Sequence, residues 1–229
     1  MSVGARRERN WGRGAVSAED VEAFARRIDV TPAERSVIVK TLLDFPADVQ
    51  SRGMFFDGLV RAVRAQCGAE ACARIVEQAE IPRSTHSFSL YPHRDFYKLF
   101  FYAAPLLHRG RPLADGMERI AETFYPVFRE SMVGRTMAML MGSEPLGILT
   151  RLAEAYNVSV QGNRHAVEGT GARSATWSAL VEPGPVYPSI FRGIVVGTMR
   201  SHDAPIPTLT VRASTPHGAK QEWQLDLRW

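Results

Sequence analysis

The chain has 229 residues, of which 45% are hydrophobic and 23% are charged. That length and composition support a self-sufficient core and exclude a largely disordered or disulfide-stapled protein. The formal net charge of +4 includes the four arginines of residues 1–16, which we interpret as a flexible basic leader. Because no basic stripe interleaved with aromatic residues follows, nucleic acid is not expected as a partner.

Neither the leader nor the rest of the chain resembles a targeting or membrane segment. No run approaches the roughly 18 apolar residues of a membrane span, and residues 1–16 lack the apolar stretch of a secretion signal. The two cysteines, Cys67 and Cys72, are spaced so that a helix turns them apart, which predicts reduced thiols. We therefore expect a cytoplasmic protein without membrane insertion.

Residues 17–47 predict a helical appendage of two helices. Ser17 heads a capping pattern for the first, and Thr31, followed by proline and an acidic residue, caps the second. The second helix is expected to end before Pro46. Since both helices are amphipathic, the hypothesis is that they serve docking or dimerisation, with a homodimer as one outcome.

The remaining chain, residues 48–229, begins with further helices. Apolar residues recur at helical spacing over 54–65 and, beyond Gly68, in another helix. A strongly apolar stretch after Pro92 predicts a helix buried almost all round. The next helix should kink or restart at Pro126, which removes one backbone donor. A last helix of this series is expected at Pro145.

The sequence period changes after that helix. Residues 157–161 and 173–181 alternate and are rich in β-branched residues, which predicts strands. A helix is predicted over 189–199, followed by strands over 208–213 and 222–228. The fold class predicted is therefore α+β, with an N-terminal helical layer packed on a C-terminal antiparallel sheet in the order strand, strand, helix, strand, strand.

Four motifs carry a family resemblance: RGMFFDGLVRAV at 52–63, YPHRDFYKLFFYAA at 91–104, GMERIAETFYP at 116–126, and the terminal WQLDLRW. Over residues 48–229 the chain resembles a large paralogous family of myxobacterial proteins whose function is not established. That family is distantly similar to the α+β domains of haem nitric-oxide sensors, vinyl-reductase-type small-molecule-binding domains and a vesicle-tethering subunit. The resemblance implies one family α+β domain, and function does not follow from fold alone.

Haem is the first cofactor that this resemblance implies, because the sensors use a proximal histidine and a Tyr-x-Ser-x-Arg triplet that binds the propionates. Tyr187 and Ser189 have the required separation, but Arg192 comes one position late. His93, in the first turn of a predicted helix beside proline, is the best-placed ligand among awkward candidates. These departures argue against haem, and no cofactor is expected.

No pattern indicates an enzyme. Gly169-Thr170-Gly171 matches no phosphate-binding loop and is interpreted as a turn. Asp95 with Glu118 or Glu122 is the best candidate for converging carboxylates, yet Asp95 lies in a first helical turn, where negative charge is favourable anyway. The sequence therefore predicts a non-enzymatic protein without catalytic residues or a metal site.

Aromatic and methionine residues suggest a ligand pocket, because such side chains line adaptable apolar cavities. The candidates for this pocket, with tyrosine and arginine as polar handles, are Phe96, Tyr97, Phe100, Tyr102, Arg135 and Met137. The same spacing is typical of an ordinary core, so both interpretations stay open.

Three functional hypotheses follow. The first is a sensory or regulatory module that binds a small apolar molecule or a partner protein. The second is a protein-interaction module whose core is filled by its own side chains, as in the tethering relatives. The third is a haem-based gas sensor.

Overall fold

The computed structural model describes residues 17–82 and 85–229; the predicted basic leader lies outside these residues. Within them the chain forms eight helices and seven strands. The helices are α1 (Ala18–Arg26), α2 (Pro32–Leu43), α3 (Gly53–Gln78), α4 (His93–Leu107), α5 (Leu113–Arg129), α6 (Met132–Met141), α7 (Pro145–Ser159) and α8 (Tyr187–Ser201). The strands are β1 (Gln50–Arg52), β2 (Leu90–Pro92), β3 (Val160–Gln161), β4 (Arg164–Gly171), β5 (Ser174–Val181), β6 (Thr208–His217) and β7 (Lys220–Arg228).

The two N-terminal helices begin at the predicted caps and join the main core. Thr31 and Glu34 form a reciprocal capping box at the start of α2, which satisfies two backbone donors. Phe24 of α1 is buried against α4, where its ring lies 6.5 Å from that of Tyr102 and the Lys98 ammonium lies 5.4 Å from its centroid. The apolar face of α1 is thus covered by the chain itself, which removes the reason for assigning it to docking.

Two helix breaks differ in their cause. Gly68 has φ of +81°, and this left-handed residue divides α3 into the two helices that the sequence predicted. Pro126, in contrast, lies inside α5, which continues to Arg129. The helix restarts only after Ser131, whose hydroxyl accepts from the Gly134 amide at 3.0 Å. The break between α5 and α6 therefore lies at the Ser131 N-cap and not at Pro126, where the sequence predicted it.

Helices α5 and α8 approach each other closely, and glycines allow it. A Cβ added at Gly193 or at Gly197 would lie closer than 3.0 Å to a carbonyl oxygen of α5, at Glu118 or Glu122. Any side chain at these two positions would force the helices apart. The backbones of α5 and α8 therefore form a rigid centre against which the other elements pack.

The main sheet has four antiparallel strands in the order β4-β5-β7-β6. Its inner face packs on the helices and includes Trp177, Leu225 and Leu227, all fully buried. The chain order β4, β5, α8, β6, β7 confirms the predicted fold class and its strand-strand-helix-strand-strand arrangement. Helix α8 crosses between the two hairpins, and at its N-terminus the Tyr187 ring lies 6.0 Å from the ring of Trp223 on β7.

Two stretches differ from the sequence prediction. Most of residues 157–161 continues α7, and only β3 is extended. Residues 164–171 form β4, where the pattern predicted turns around Gly169. Strand β4 is an edge strand with mostly exposed side chains, so it shows little of the hydrophobic alternation on which strand prediction depends.

A second, three-stranded sheet with the order β2-β1-β3 was not predicted. Ser51 pairs with both Tyr91 and Val160 in antiparallel register. This small sheet brings together the starts of α3 and α4 and the end of α7. In the part of the chain that the structure describes, no helix is both long and apolar enough to cross a membrane.

Candidate functional site

An open groove of about 560 Å³ runs between α6, α7 and the entry to α3. We call it the apolar groove. Its wall consists mainly of hydrophobic side chains: Met54, Phe88, Met137, Leu140, Met141, Ala155 and Val158. Its polar lining comes from Arg52, Arg151, Glu154 and Ser159.

The rim of the groove exposes large hydrophobic side chains to solvent. Phe88 is 68% exposed, Leu140 70% and Val158 64%. Scattered exposed hydrophobic residues are common, but several around one concavity are typical of a binding surface. The rim therefore marks the groove as the best candidate for contact with an apolar molecule.

A small inner cavity of about 30 Å³ lies behind the groove. Its lining shares Met137 and Met141 with the groove, and the rings of Phe55, Phe124 and Tyr156 form part of its inner wall. Methionine is unbranched and adapts its shape easily. The two methionines lie between the groove and the aromatic core, and the Met141 sulfur accepts a hydrogen bond from the Tyr125 hydroxyl at 3.1 Å.

Local sequence explains why α6 and α7 leave this space. Helix α6 ends at Gly142, which has φ of +71°. Helix α7 starts at Pro145. The preceding residue, Glu144, is its N-cap, and the Glu144 side chain accepts hydrogen bonds from the amides of Leu146 and Gly147. The two helices are thus separately capped and joined by a short turn, and the apolar side chains between them line the groove.

A buried polar cluster lies on the other side of the aromatic core. Glu182, only 2% exposed, accepts a hydrogen bond from the Tyr97 hydroxyl and another from Asn163 Nδ2 at 2.7 Å. His93 Nε2 lies 3.7 Å from the same carboxylate. The cluster therefore links α4 to the sheet through one buried carboxylate.

Burial controls the titration of this cluster. It lowers the pKa of His93, an effect that the Glu182 carboxylate partly offsets, and it raises the pKa of Tyr97 well above the ordinary value. The pKa of His165 is lowered to about 3, mainly by burial; its Nδ1 lies 3.3 Å from Trp177 Nε1. The imidazoles are therefore neutral and the phenol protonated at neutral pH, so the cluster offers fixed dipoles around one carboxylate.

Several polar atoms of this region have no hydrogen-bond partner in the described residues. They are His93 Nδ1, Asn163 Oδ1 and His165 Nε2. Buried polar groups are normally satisfied by protein or by ordered water. The cluster is therefore a polar interior within an otherwise hydrophobic core.

The predicted pocket residues are distributed over three environments. Phe96 and Phe100 are buried, with ring centroids 5.2 Å apart, and Tyr97 belongs to the polar cluster. Tyr102 packs against the core from its edge. These four residues lie on α4, and none of them lines the apolar groove.

The two candidates on α6 also separate. Arg135 is exposed and donates to the Glu130 carbonyl at 2.8 Å, whereas Met137 lines both the groove and the inner cavity. The ligand roles assigned to the six residues stay predictions. Arg52 and Phe88 line the groove and were not singled out; the signal for Phe88 was a large aromatic residue within a polar connector.

The carboxylates considered for catalysis do not converge. Asp95 lies 3.7 Å from the Lys98 ammonium, whereas Glu118 pairs with Arg192 at 3.1 Å and Glu122 pairs with Arg200. Across residues 17–82 and 85–229, no group of three or more His, Cys, Asp or Glu side chains could hold a metal ion.

Comparison with known proteins gives a family and a fold. A family model described as a protein of unknown function, DUF2378, matches residues 47–229. No curated protein matches the chain.

Solved structures supply the fold. An oxygen-binding H-NOX domain related to soluble guanylate cyclases superposes with a TM-score of 0.62 at 9% identity, covering 77% of this chain and 94% of that one. A protein studied for haem redox potential and porphyrin distortion gives 0.63 at 9% identity, covering 78% and 99%. A mutant Fe(II) unliganded H-NOX protein from K. algicida gives 0.54 at 16% identity, covering 78% and 97%.

These matches correct the prediction against haem. The misplaced arginine and the awkward histidines had been taken as grounds to expect no cofactor, yet the solved structures with this fold include haem proteins. The expectation that haem is unlikely is therefore wrong on the evidence of the fold.

The residues of this chain show what a haem would meet. His93 and His165 each have a ring nitrogen without a partner, as an axial ligand requires. The His93 ring, however, stacks on Phe96 at 5.1 Å, and the His165 ring stacks on Tyr156 at 4.6 Å. Both imidazoles are therefore buried among packed aromatic rings, and Arg192 of the near-triplet pairs with Glu118 on α5. The packing of these side chains does not fit a haem.

Proposed function

The chain belongs, through residues 47–229, to the DUF2378 family of unknown function, and from that starting point we propose that it is a sensory or regulatory module that binds a small apolar ligand in the apolar groove. The observation that carries this proposal is the groove itself, an apolar concavity of about 560 Å³ with exposed hydrophobic residues at its rim. Its volume lies within the roughly 300–1,000 Å³ typical of small-molecule sites.

Two further observations support the proposal. Met137 and Met141 can change rotamer without breaking a backbone hydrogen bond, so a ligand that displaces them could extend towards the inner cavity. In addition, the structures that share this fold include an oxygen-binding domain, so the fold is compatible with small-ligand binding. A ligand that moves α6 would change the exposed surface of Leu140. A partner protein that contacts this surface could then distinguish the bound state from the free state.

The role proposed is binding and not catalysis. The carboxylates of α4 and α5 are held in ion pairs, and the imidazoles of the polar cluster are buried and neutral. None of these groups lines the apolar groove. A ligand bound there would contact hydrophobic side chains and the two arginines.

The first test is native mass spectrometry of freshly purified full-length protein, together with its ultraviolet-visible spectrum. A stoichiometric non-covalent mass would support a ligand-binding module and give its chemical class, and a Soret band would identify haem. If the protein has a clean apo mass, the fluorescent probe N-phenyl-1-naphthylamine is then titrated into it. Absence of any saturable binding by this probe would contradict the proposal.

The location of the site is tested by a matched pair of substitutions on α6. Met137→Trp would fill the groove, and we expect it to weaken probe binding at least about tenfold, the equivalent of about 1.4 kcal/mol. Met139→Trp makes the same change at a side chain that is 78% exposed and outside the groove lining, so probe affinity should be unchanged. Equal effects of the two substitutions would place the probe elsewhere.

A protein partner is the second candidate, favoured by the exposure of Phe88, Leu140 and Val158. A second copy of this chain is the partner that the same native mass spectra detect. If a dimer is present and Leu140→Ser converts it to monomer while circular dichroism is unchanged, the groove rim is its interface. A dimer that persists in Leu140→Ser would remove the rim from that interface.

A further inference from the structure

We infer that the apolar groove selects an amphiphile with one carboxylate head group and an alkyl chain, and that Arg52 binds the head group. This inference rests on the proposed function and adds the chemical class of the ligand. It is carried by the position of a single arginine at the mouth of the groove and by the balance of charge around it.

Arg52 is fixed at the junction of three segments. It is the last residue of β1 and the residue before α3. Its Nε donates to the Val158 carbonyl at 3.1 Å, and its Nη1 donates to the Phe88 carbonyl at 3.2 Å. These two bonds hold the guanidinium between two hydrophobic rim residues. The Nη2 group makes no hydrogen bond to any residue that the structure describes.

The charge of Arg52 is only partly compensated. The other rim arginine, Arg151, forms an ion pair with Glu154 at 2.8 Å. No carboxylate lies within ion-pair distance of Arg52 among residues 17–82 and 85–229. The Val158 carbonyl belongs to the last turn of α7, where the helix dipole supplies at most about half a negative charge. The groove therefore carries a net positive charge beside an apolar wall.

A carboxylate on an alkyl chain complements both features. A guanidinium forms short, charge-assisted hydrogen bonds with carboxylate oxygens, and Nη2 has hydrogens available for them. The alkyl chain of the ligand would cover the exposed surface of Leu140 and Met137, and removing this surface from water is favourable in proportion to the area buried. A neutral amphiphile would gain only the hydrophobic burial, whereas a cationic amphiphile would be repelled by the Arg52 charge.

The test compares three head groups on the same chain, using decanoate, decanol and decyltrimethylammonium to displace N-phenyl-1-naphthylamine from full-length protein at pH 7.5. We expect decanoate to bind about tenfold more tightly than decanol, the ratio that corresponds to one charge-assisted hydrogen bond. The cation should bind most weakly, and added salt should reduce the advantage of decanoate.

The possible outcomes separate the two proposals. Equal affinities for decanoate and decanol, or tighter binding of the cation, would overturn the inference and leave the apolar site in place. Failure of all three compounds and of the probe to bind would remove the proposed function together with the inference.

Two substitutions test the assignment to Arg52. Arg52→Gln should abolish the preference for decanoate and leave decanol affinity within about twofold, since hydrophobic burial is unchanged. Arg151→Gln makes the same change at the arginine that already has a carboxylate partner, and the preference should persist. Should Arg52→Gln fail to fold, the unmodified protein still decides the preference for decanoate, and Arg151→Gln decides the assignment: loss of the preference in that variant would overturn the role of Arg52, since these are the two arginines of the groove lining.

Discussion

The contact between α5 and α8 and the groove between α6 and α7 are built on opposite principles. In the first, glycines bring two backbones so close that a Cβ would clash with a carbonyl oxygen. In the groove, methionine side chains line an open space of about 560 Å³. One region has no freedom to rearrange and the other can change shape at low cost, which is the division expected of a scaffold that carries a binding site.

Methionine shows the contrast most clearly, because both regions use it. Met117 of α5 is fully buried, whereas Met137 of α6 is half-buried and lines the groove. The same side chain therefore contributes packing in one helix and an adaptable surface in the other. Stability should depend strongly on the first region, and ligand affinity on the second.

The largest expected effect is at Met117. Met117→Ala should lower the free energy of unfolding by about 2–5 kcal/mol, because it leaves a cavity in a tightly packed site. Met137→Ala, the same change in the groove, should cost less than about 1 kcal/mol, since its side chain is already partly solvated. Urea denaturation measures both, and similar losses would show that the groove is as tightly packed as the core.

The next effect is at the close approach of the two helices. Gly197→Ala places a methyl group against the Glu122 carbonyl and should destabilise by about 1–3 kcal/mol through overpacking. Gly147→Ala on α7 meets the end of the Glu144 side chain at 3.3 Å and the Met141 carbonyl oxygen at 4.0 Å, with no contact below 3.0 Å, so its stability should be unchanged or slightly raised by helix propensity. If the two variants unfold at the same urea concentration, α5 and α8 separate more easily than their geometry indicates.

The buried polar cluster gives a third, intermediate test. Tyr97→Phe removes the hydroxyl that donates to Glu182 and should cost about 1–3 kcal/mol by leaving a buried acceptor with one donor fewer. Tyr102→Phe makes the same change at a ring on the edge of the core and should cost less than about 0.5 kcal/mol. Thermal unfolding followed by circular dichroism separates the two cases.

The smallest effect is a dependence of stability on pH. The folded-state pKa of His165, about 3, lies below its ordinary value of 6.5, so in this interval the unfolded chain binds the proton and the folded chain does not. The contribution of neutral His165 to the free energy of unfolding is therefore complete above pH 6.5. It is lost as the pH falls below that value, by about 1.4 kcal/mol per pH unit. His165→Gln should reduce that slope between pH 6 and pH 5, while His217→Gln, at an exposed site, should retain it.

Much of this fold could be predicted because its signals are local. The Thr31 cap and the Gly68 break depend on residues adjacent in sequence, and α8 with strands β5, β6 and β7 follows from a change in hydrophobic period. Strand β4 and the three-stranded sheet could not be predicted, because short or exposed strands are defined by partners distant in sequence. Ser51, for example, pairs with Val160.

The candidate site was less predictable than the fold. Met137, a pocket candidate because of its residue type, lines the groove, whereas the aromatic residues of α4 belong to the core and the polar cluster. Arg52 was visible only as part of a family motif. Its place at the groove depends on the Phe88 and Val158 carbonyls, which lie in other segments, so no pattern within one segment identifies it.

The break at Gly68 gives the molecule an internal reporter. It separates Cys67, which is half-buried before the break, from Cys72, which is buried after it. Burial raises the pKa of both thiols, so alkylation of each is limited by access and by the small thiolate fraction. Time-resolved labelling followed by peptide mass mapping would therefore record surface access at one cysteine and transient opening of α3 at the other, in the unmodified chain and without an introduced probe.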